Sequence, residues 1–232
     1  MRIYRCDIEL MENLSFVSRE VSDLFQTEPV IGNYALAYAL GFCNAGYHND
    51  GEITYARDLA KLEEAEIYIT PTTFTEKPRF TLSKFNALSD SYWYQMEQNA
   101  ISVNKRQKAR AANFPQIGRF KLLSIGNKGV FYILSKEELN IPRYIRLGKF
   151  MSKAKLTVTS ERYRLMENQR MTIHLYLNPI DLPDNCQLKM FDMLNIKPAP
   201  LIKNASLQGD FYKLSDDTCL PMGMRFYTNF GA

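Results

Sequence analysis

The sequence predicts an α+β protein built on an antiparallel sheet of ferredoxin-like or RRM-like type, with a long insertion and a loop-rich C-terminal β region. Three observations point there. Strand-like and helix-like segments alternate early in the chain, an irregular polar stretch interrupts them at 72–118, and strand-like runs then resume and end in a proline-studded tail. The 232 residues allow one large domain or two small packed ones. The expected units are 1–155, carrying the insertion at 72–118, and 156–232, a β-rich extension packed on the first.

Residues 2–10 alternate apolar and polar side chains and predict a half-buried strand. Residues 11–30 hold turn formers and Pro29 and read as loop. Asn33 is placed to cap a helix over 34–42 that is apolar all round, hence buried, and that ends near Gly41 or Gly46. A second helix is expected over 53–65, with Tyr55, Leu59 and Leu62 on one face, and a second strand over 66–70 before Pro71.

Within 72–118, Trp93, Met96 and Ala100 fit a helical spacing weakly. Residues 104–112 are good helix formers without an apolar stripe to dock, so such a helix stays mobile or orders against an anion. Strands over 119–125 and 130–134 flank Gly126-Asn127-Lys128-Gly129, a hairpin signal. Ser135-Lys136-Glu137-Glu138 resembles a capped short helix. Further strands are expected over 144–147, 155–159 and 171–177, and a short helix over 188–194.

Catalytic signatures are missing. The chain has no phosphate-cradling glycine loop of the Walker type, no dinucleotide glycine pattern and no nucleophile elbow. Glu63, Glu64 and Glu66 read as solvated helix surface. The histidines are His48, in a Gly/Asn/Asp loop, and His174, expected on a sheet face. Cys6, Cys43, Cys186 and Cys219 are too scattered for a zinc knuckle and read as buried free thiols. No metal and no cofactor is expected. The N-terminus lacks the apolar core of a signal peptide, and no apolar run is long enough to span a bilayer, so a cytoplasmic protein without a membrane partner is expected.

The charge is unevenly placed. Residues 98–160 contain 13 basic and 2 acidic residues, against 16 basic and 23 acidic in the remainder. Such crowding costs self-repulsion, which a polyanion relieves with release of condensed counterions; a solvated positive face without a ligand is the alternative. Within the segment, Arg143-Tyr144-Ile145-Arg146-Leu147-Gly148-Lys149-Phe150-Met151-Ser152-Lys153 sets cations on both sides of a glycine at a strand end. Backbone amides there, together with Lys149 and Lys153, would make a phosphate-binding corner; a plain turn is the other reading. The 12% aromatic content suits a core, an interface or a base-stacking surface equally.

Asn33-Tyr34-Ala35-Leu36-Ala37-Tyr38-Ala39-Leu40-Gly41, preceded by Ser18-Arg19-Glu20 and Thr27-Glu28, resembles the N-terminal signature of the Csc-one family, the Cas-five-type subunits of type I-D CRISPR effector (Cascade) complexes. Residues 146–153 resemble that family's glycine-basic loop, and Leu177-Asn178-Pro179-Ile180-Asp181-Leu182-Pro183 resembles a later segment. The segments fall in the family's order and span most of the chain. The insertion matches only in place and character.

The resemblance implies a RAMP protein with a modified ferredoxin-like fold. It would cap the five-prime handle of the CRISPR RNA beside the Cas-seven-type backbone subunit and the large Cas-ten-type subunit. It would also help position PAM-proximal target DNA, with 72–118 as a thumb crossing the guide. Residue reading and resemblance together assign RNA backbone contacts to Lys105, Arg106, Lys108, Arg110, Arg119 and Lys121. They assign phosphates at the glycine loop to Arg143, Arg146, Lys149 and Lys153, and base stacking to Trp93, Tyr94 or Phe114. No catalytic residue is assigned. The rival readings are a metal-independent endoribonuclease acting on CRISPR repeat RNA, with His174 or a Tyr–Lys pair as acid and base, and a structural subunit whose basic stripe docks an acidic protein.

Overall fold

The computed structural model describes residues 1–43, 54–86, 93–95, 100–102 and 117–227. The first strand, β1 (Arg2–Leu10), follows its alternation: Tyr4, Cys6, Ile8 and Leu10 are buried, while Arg5, Asp7 and Glu9 are half-exposed. Three short strands that the sequence reading missed come next, β2 (Arg19–Val21), β3 (Leu24–Gln26) and β4 (Val30–Ile31). Each is too short to show a period. Helix α1 (Asn33–Ala39) and helix α2 (Tyr55–Glu64) are the α-helices among the described residues. The strands β5 (Tyr68–Ile69), β6 (Thr72–Phe74), β7 (Phe80–Asn86), β8 (Trp93–Gln95), β9 (Ala100–Ser102), β10 (Ile117–Leu123) and β11 (Lys128–Ser135) follow. The chain ends in β12 (Tyr144–Leu147), β13 (Ser152–Glu161), β14 (Tyr163–Ile173), β15 (Gln187–Leu194), β16 (Leu201–Leu214) and β17 (Cys219–Pro221).

The main sheet runs β12-β13-β1-β11-β6-β4, with β5 also pairing β11. All its pairings are antiparallel. β11 is buried from Gly129 to Ser135 on alternate sides, so both its faces are covered. A second sheet runs β2-β3-β10-β7 and contains the parallel pair β3–β10. A third joins β14, β16, β15 and β17, and β8 pairs β9. The fold is thus mainly antiparallel sheet. One buried cluster reaches from Ile3 to Phe226 and includes residues of both helices and of the first and third sheets.

Several expectations need correction. Asn33 does not cap α1; Gly32 occupies the cap position without a side-chain bond, because the Asn33 amide is drawn into the interior. β10 and β11 do not form a hairpin but belong to different sheets. The reason lies at Asn127, whose buried side chain accepts from the Arg79 amide and donates to the Arg79 and Ser124 carbonyls, turning the chain from one sheet to the other. Residues 72–118 are not wholly irregular: β6 lies in the main sheet and β7 pairs β10. Ser135 and Glu137 close a local turn rather than a helix. The expected helix over 188–194 is the strand β15, because pairing with the long β16 overrides local propensity. β14 begins earlier than expected and ends at Ile173, leaving His174 just beyond the strand. The expected helix over 104–112, and His48, lie outside the described residues.

The Asn33 amide donates to Asp181 Oδ2 at 2.6 Å, the Tyr68 hydroxyl donates to the same oxygen at 3.1 Å, and the Tyr227 amide donates to Oδ1 at 3.0 Å. Burial pushes the Asp181 carboxyl up to about 7, and the hydrogen bonds from Tyr227, Asn33, Tyr68 and Asn178 offset only part of that penalty. A folded value above the unfolded one, about 3.9, means that the folded state holds the extra proton between these values. The contribution of Asp181 to stability is therefore full below about pH 4 and is lost as pH rises to about 7, with a slope approaching roughly 1.4 kcal/mol per pH unit. Urea titrations across this range test it; Asp181→Asn is expected to flatten the slope.

Candidate nucleic-acid interface

Among the described residues β12 is the outermost strand at one side of the main sheet, and its alternation sets the site. Ile145 and Leu147 point inward and are buried, so Tyr144 and Arg146 point to solvent. Across the ladder, Arg146 faces Lys153 and Tyr144 faces Lys155. Cross-strand partners share a face, which concentrates positive charge around one tyrosine ring. Lys153 Nζ lies 4.4 Å from the centre of the Tyr144 ring, and the Arg143 guanidinium lies 5.7 Å from it. The carboxylate of Glu12 sits beside this group: Oε2 accepts from the Lys153 amide at 2.8 Å and lies 3.7 Å from Arg146 Nη1. Arg146 also donates to the Met151 carbonyl at 3.0 Å. These exposed pairings orient the cations and contribute little stability.

The turn joining β12 to β13 is tied down against residues 12–15. Gly148 has φ +68°, and a Cβ there would lie 2.4 Å from the Ser15 carbonyl oxygen. That same carbonyl accepts from the Lys149 amide at 3.0 Å. The Met151 amide donates to the Gly148 carbonyl at 3.2 Å, and the Ser152 hydroxyl donates to the Asn13 carbonyl at 2.7 Å. The amides of Lys149, Met151 and Lys153 are therefore committed within the protein. Those three amides are thus not offered to an anion, while the Lys149 side chain is exposed at the turn.

Arg143, Arg146, Lys149 and Lys153 are thus brought together. Arg119 and Lys121 are held elsewhere, on β10. Phe120, between them, meets Phe150 of the hairpin turn edge to face at 5.4 Å. Strand alternation then turns Arg119 and Lys121 to the opposite face of the second sheet. Arg119 pairs with Asp23 at 2.9 Å and faces Lys84 across the ladder, while Lys121 lies 4.3 Å from the centre of the Phe80 ring. Lys105, Arg106, Lys108, Arg110 and Phe114 lie outside the described residues. Trp93 and Tyr94 lie on β8, opposite Ser102 and Ile101 of β9.

Lys84, Tyr144 and Glu12 were missed by the sequence reading. For Tyr144 the alternation with Arg146 was a usable signal; for Lys84 and Glu12 only the strand pairings reveal the proximity. His174 is exposed, with Nδ1 3.0 Å from Asn204 Oδ1. Among the described residues no group of three His, Cys, Asp or Glu side chains is placed to hold a metal ion, and no helix is long and apolar enough to cross a membrane. All four cysteines are free; Cys6, Cys43 and Cys219 are buried and Cys186 is half-buried.

Fold and site define a mainly antiparallel β protein with a cationic edge hairpin braced against an aromatic cluster. The family model for type I-D CRISPR-associated protein Cas5/Csc1 matches residues 1–229, and the chain belongs to that family. It is accordingly a subunit of CRISPR effector machinery. No curated protein matches the chain. Among solved structures, a chain of the type III-B Cmr-beta complex bound to cognate target RNA and AMPPnP is 13% identical, with a TM-score of 0.46 over 88% of this chain and 86% of that one. A CRISPR protein from Archaeoglobus fulgidus is 10% identical, with a TM-score of 0.38 over 97% of this chain and 100% of that one. Both likenesses are too loose to carry an argument.

Gly148→Ala forces a left-handed backbone on a side chain that meets the Ser15 carbonyl. It is expected to cost about 1–3 kcal/mol in urea denaturation. Gly32→Ala, with nothing within 4 Å of the added carbon, is expected to stay within about 0.5 kcal/mol.

Proposed function

We propose that this protein is a non-catalytic subunit that binds CRISPR RNA and caps the five-prime handle of the guide in a type I-D interference complex. The row formed by Arg146 and Lys153, flanked by Arg143 and Lys149, is the observation that carries the reading. These cations sit on a sheet edge braced by the Gly148–Ser15 contact, so their side chains meet a phosphate backbone at little ordering cost. Arg119 and Lys121, and Lys105, Arg106, Lys108 and Arg110 of the thumb, extend the path.

In this reading the chain works as two units, 1–155 of modified ferredoxin-like (RAMP) type with its insertion at 72–118, and 156–232 packed on it. Its neighbours are the Cas-seven-type backbone subunit and the large Cas-ten-type subunit, with PAM-proximal target DNA nearby.

Binding of the purified chain to single-stranded CRISPR repeat RNA, followed against salt, tests the reading. Affinity is expected to fall as salt rises, by about 0.7 log units per log unit of salt for each phosphate contact. Arg146, Lys149 and Lys153 together changed to Ala should lower the slope by about 2 and weaken binding at least about tenfold. Binding indifferent to salt and to these changes would favour the protein-docking reading. Cleavage of the RNA in EDTA, lost in His174→Ala, would establish the endoribonuclease.

A further inference from the structure

The hairpin turn carries two large apolar side chains that the fold leaves open. Phe150 is 53% exposed and Met151 59% exposed, whereas Ile145, Leu147, Ala154 and Leu156 on the adjoining strands are all buried. The inward face of the hairpin is thus packed, while Phe150 and Met151 at its turn are more open than Tyr144 or Val158 on its strands. Phe150 is not floppy: its ring meets Phe120 at an interplanar angle of 88°, and Phe120 is stacked on Phe85 at 4.4 Å. Its neighbours Lys149 and Met151 are both tied by their amides. A fixed aromatic ring, more than half open to solvent, thus stands next to Lys149 at the turn of the hairpin whose strands carry Arg146 and Lys153.

We propose that Phe150 is a base-stacking residue: an unpaired nucleobase of a single-stranded RNA lies against its open side, while the adjacent phosphates meet Lys149 and Arg146. This rests on the RNA-binding reading and deepens it, because it moves the stacking role from Trp93, Tyr94 and Phe114 to the hairpin. Base–aromatic stacking tolerates any base, so the contact adds affinity without demanding a sequence. A protein partner could also seat an apolar knob, but the surrounding cations favour a ligand that brings its own negative charge with each ring.

The test uses the full chain and short single-stranded RNAs with 2-aminopurine at successive unpaired positions. Phe150→Leu keeps apolar bulk and removes the ring; Phe150→Tyr keeps the ring. The proposal expects quenching at one position, abolished in Phe150→Leu and retained in Phe150→Tyr. It also expects affinity about tenfold weaker for the Leu variant at an unchanged salt slope. Circular dichroism confirms that each variant is folded. Wild-type binding and quenching in Phe150→Leu, alongside lost binding when Arg146, Lys149 and Lys153 become Ala, would overturn the stack and leave the RNA-binding reading intact. Indifference of RNA binding to both sets of changes would overturn both. Loss of co-purifying protein subunits from Phe150→Leu with RNA binding unchanged would make Phe150 a protein anchor and overturn the stack.

Discussion

Asp181 gathers three distant parts of the chain at one buried point: Asn33 from α1, Tyr68 from β5 and the Tyr227 amide near the C-terminal end. The adjacent Asn178 donates to the Tyr34 hydroxyl at 3.3 Å, so helix and C-terminal segment are joined twice. A carboxyl in such a place costs desolvation, and leaving any of its donors unpaired would cost more. The network therefore acts as a latch that closes only when all three parts are present. α1 in turn packs against β12, so the latch fixes the element behind the cationic hairpin.

From that fixed edge the hairpin gains its direction. Gly148 lets the turn press against Ser15, Phe150 leans on Phe120, and the second sheet is thereby coupled to the first. The second sheet has two unlike faces. Phe25, Phe85 and Phe120 cluster on one, with ring centres 4.4 to 5.9 Å apart, while Arg119, Lys121 and Lys84 lie on the other. Positive charge is therefore presented from two directions around one aromatic spine, a geometry that suits a strand passing over a sheet edge.

Much of this was legible, though unevenly. β1 and β12 were readable because each buries one face and so shows a clean period of two. α2 showed its buried face through Leu59 and Leu62. The cationic hairpin was readable because its members are close in sequence. What failed was whatever depends on distant partners. Asn33 looked like a cap because its bond to Asp181 spans 148 positions. Gly126-Asn127 looked like a hairpin because nothing local shows that Asn127 is spent on Arg79. Residues 188–194 looked helical because Met, Phe and Leu on an exposed edge strand carry no alternation. The bond from the Lys149 amide to Ser15 was illegible for the same reason, since the two lie far apart in the chain.

The central claim is that the hairpin from Arg143 to Lys153 grips the guide RNA. Expressing the chain with the neighbouring effector subunits and a CRISPR array, then crosslinking and sequencing the RNA that remains attached, tests it most directly. The account predicts discrete guide RNA whose five-prime handle crosslinks to residues 143–153. Guide RNA recovered in full with its handle crosslinked only to other subunits, and never to this hairpin, would contradict it.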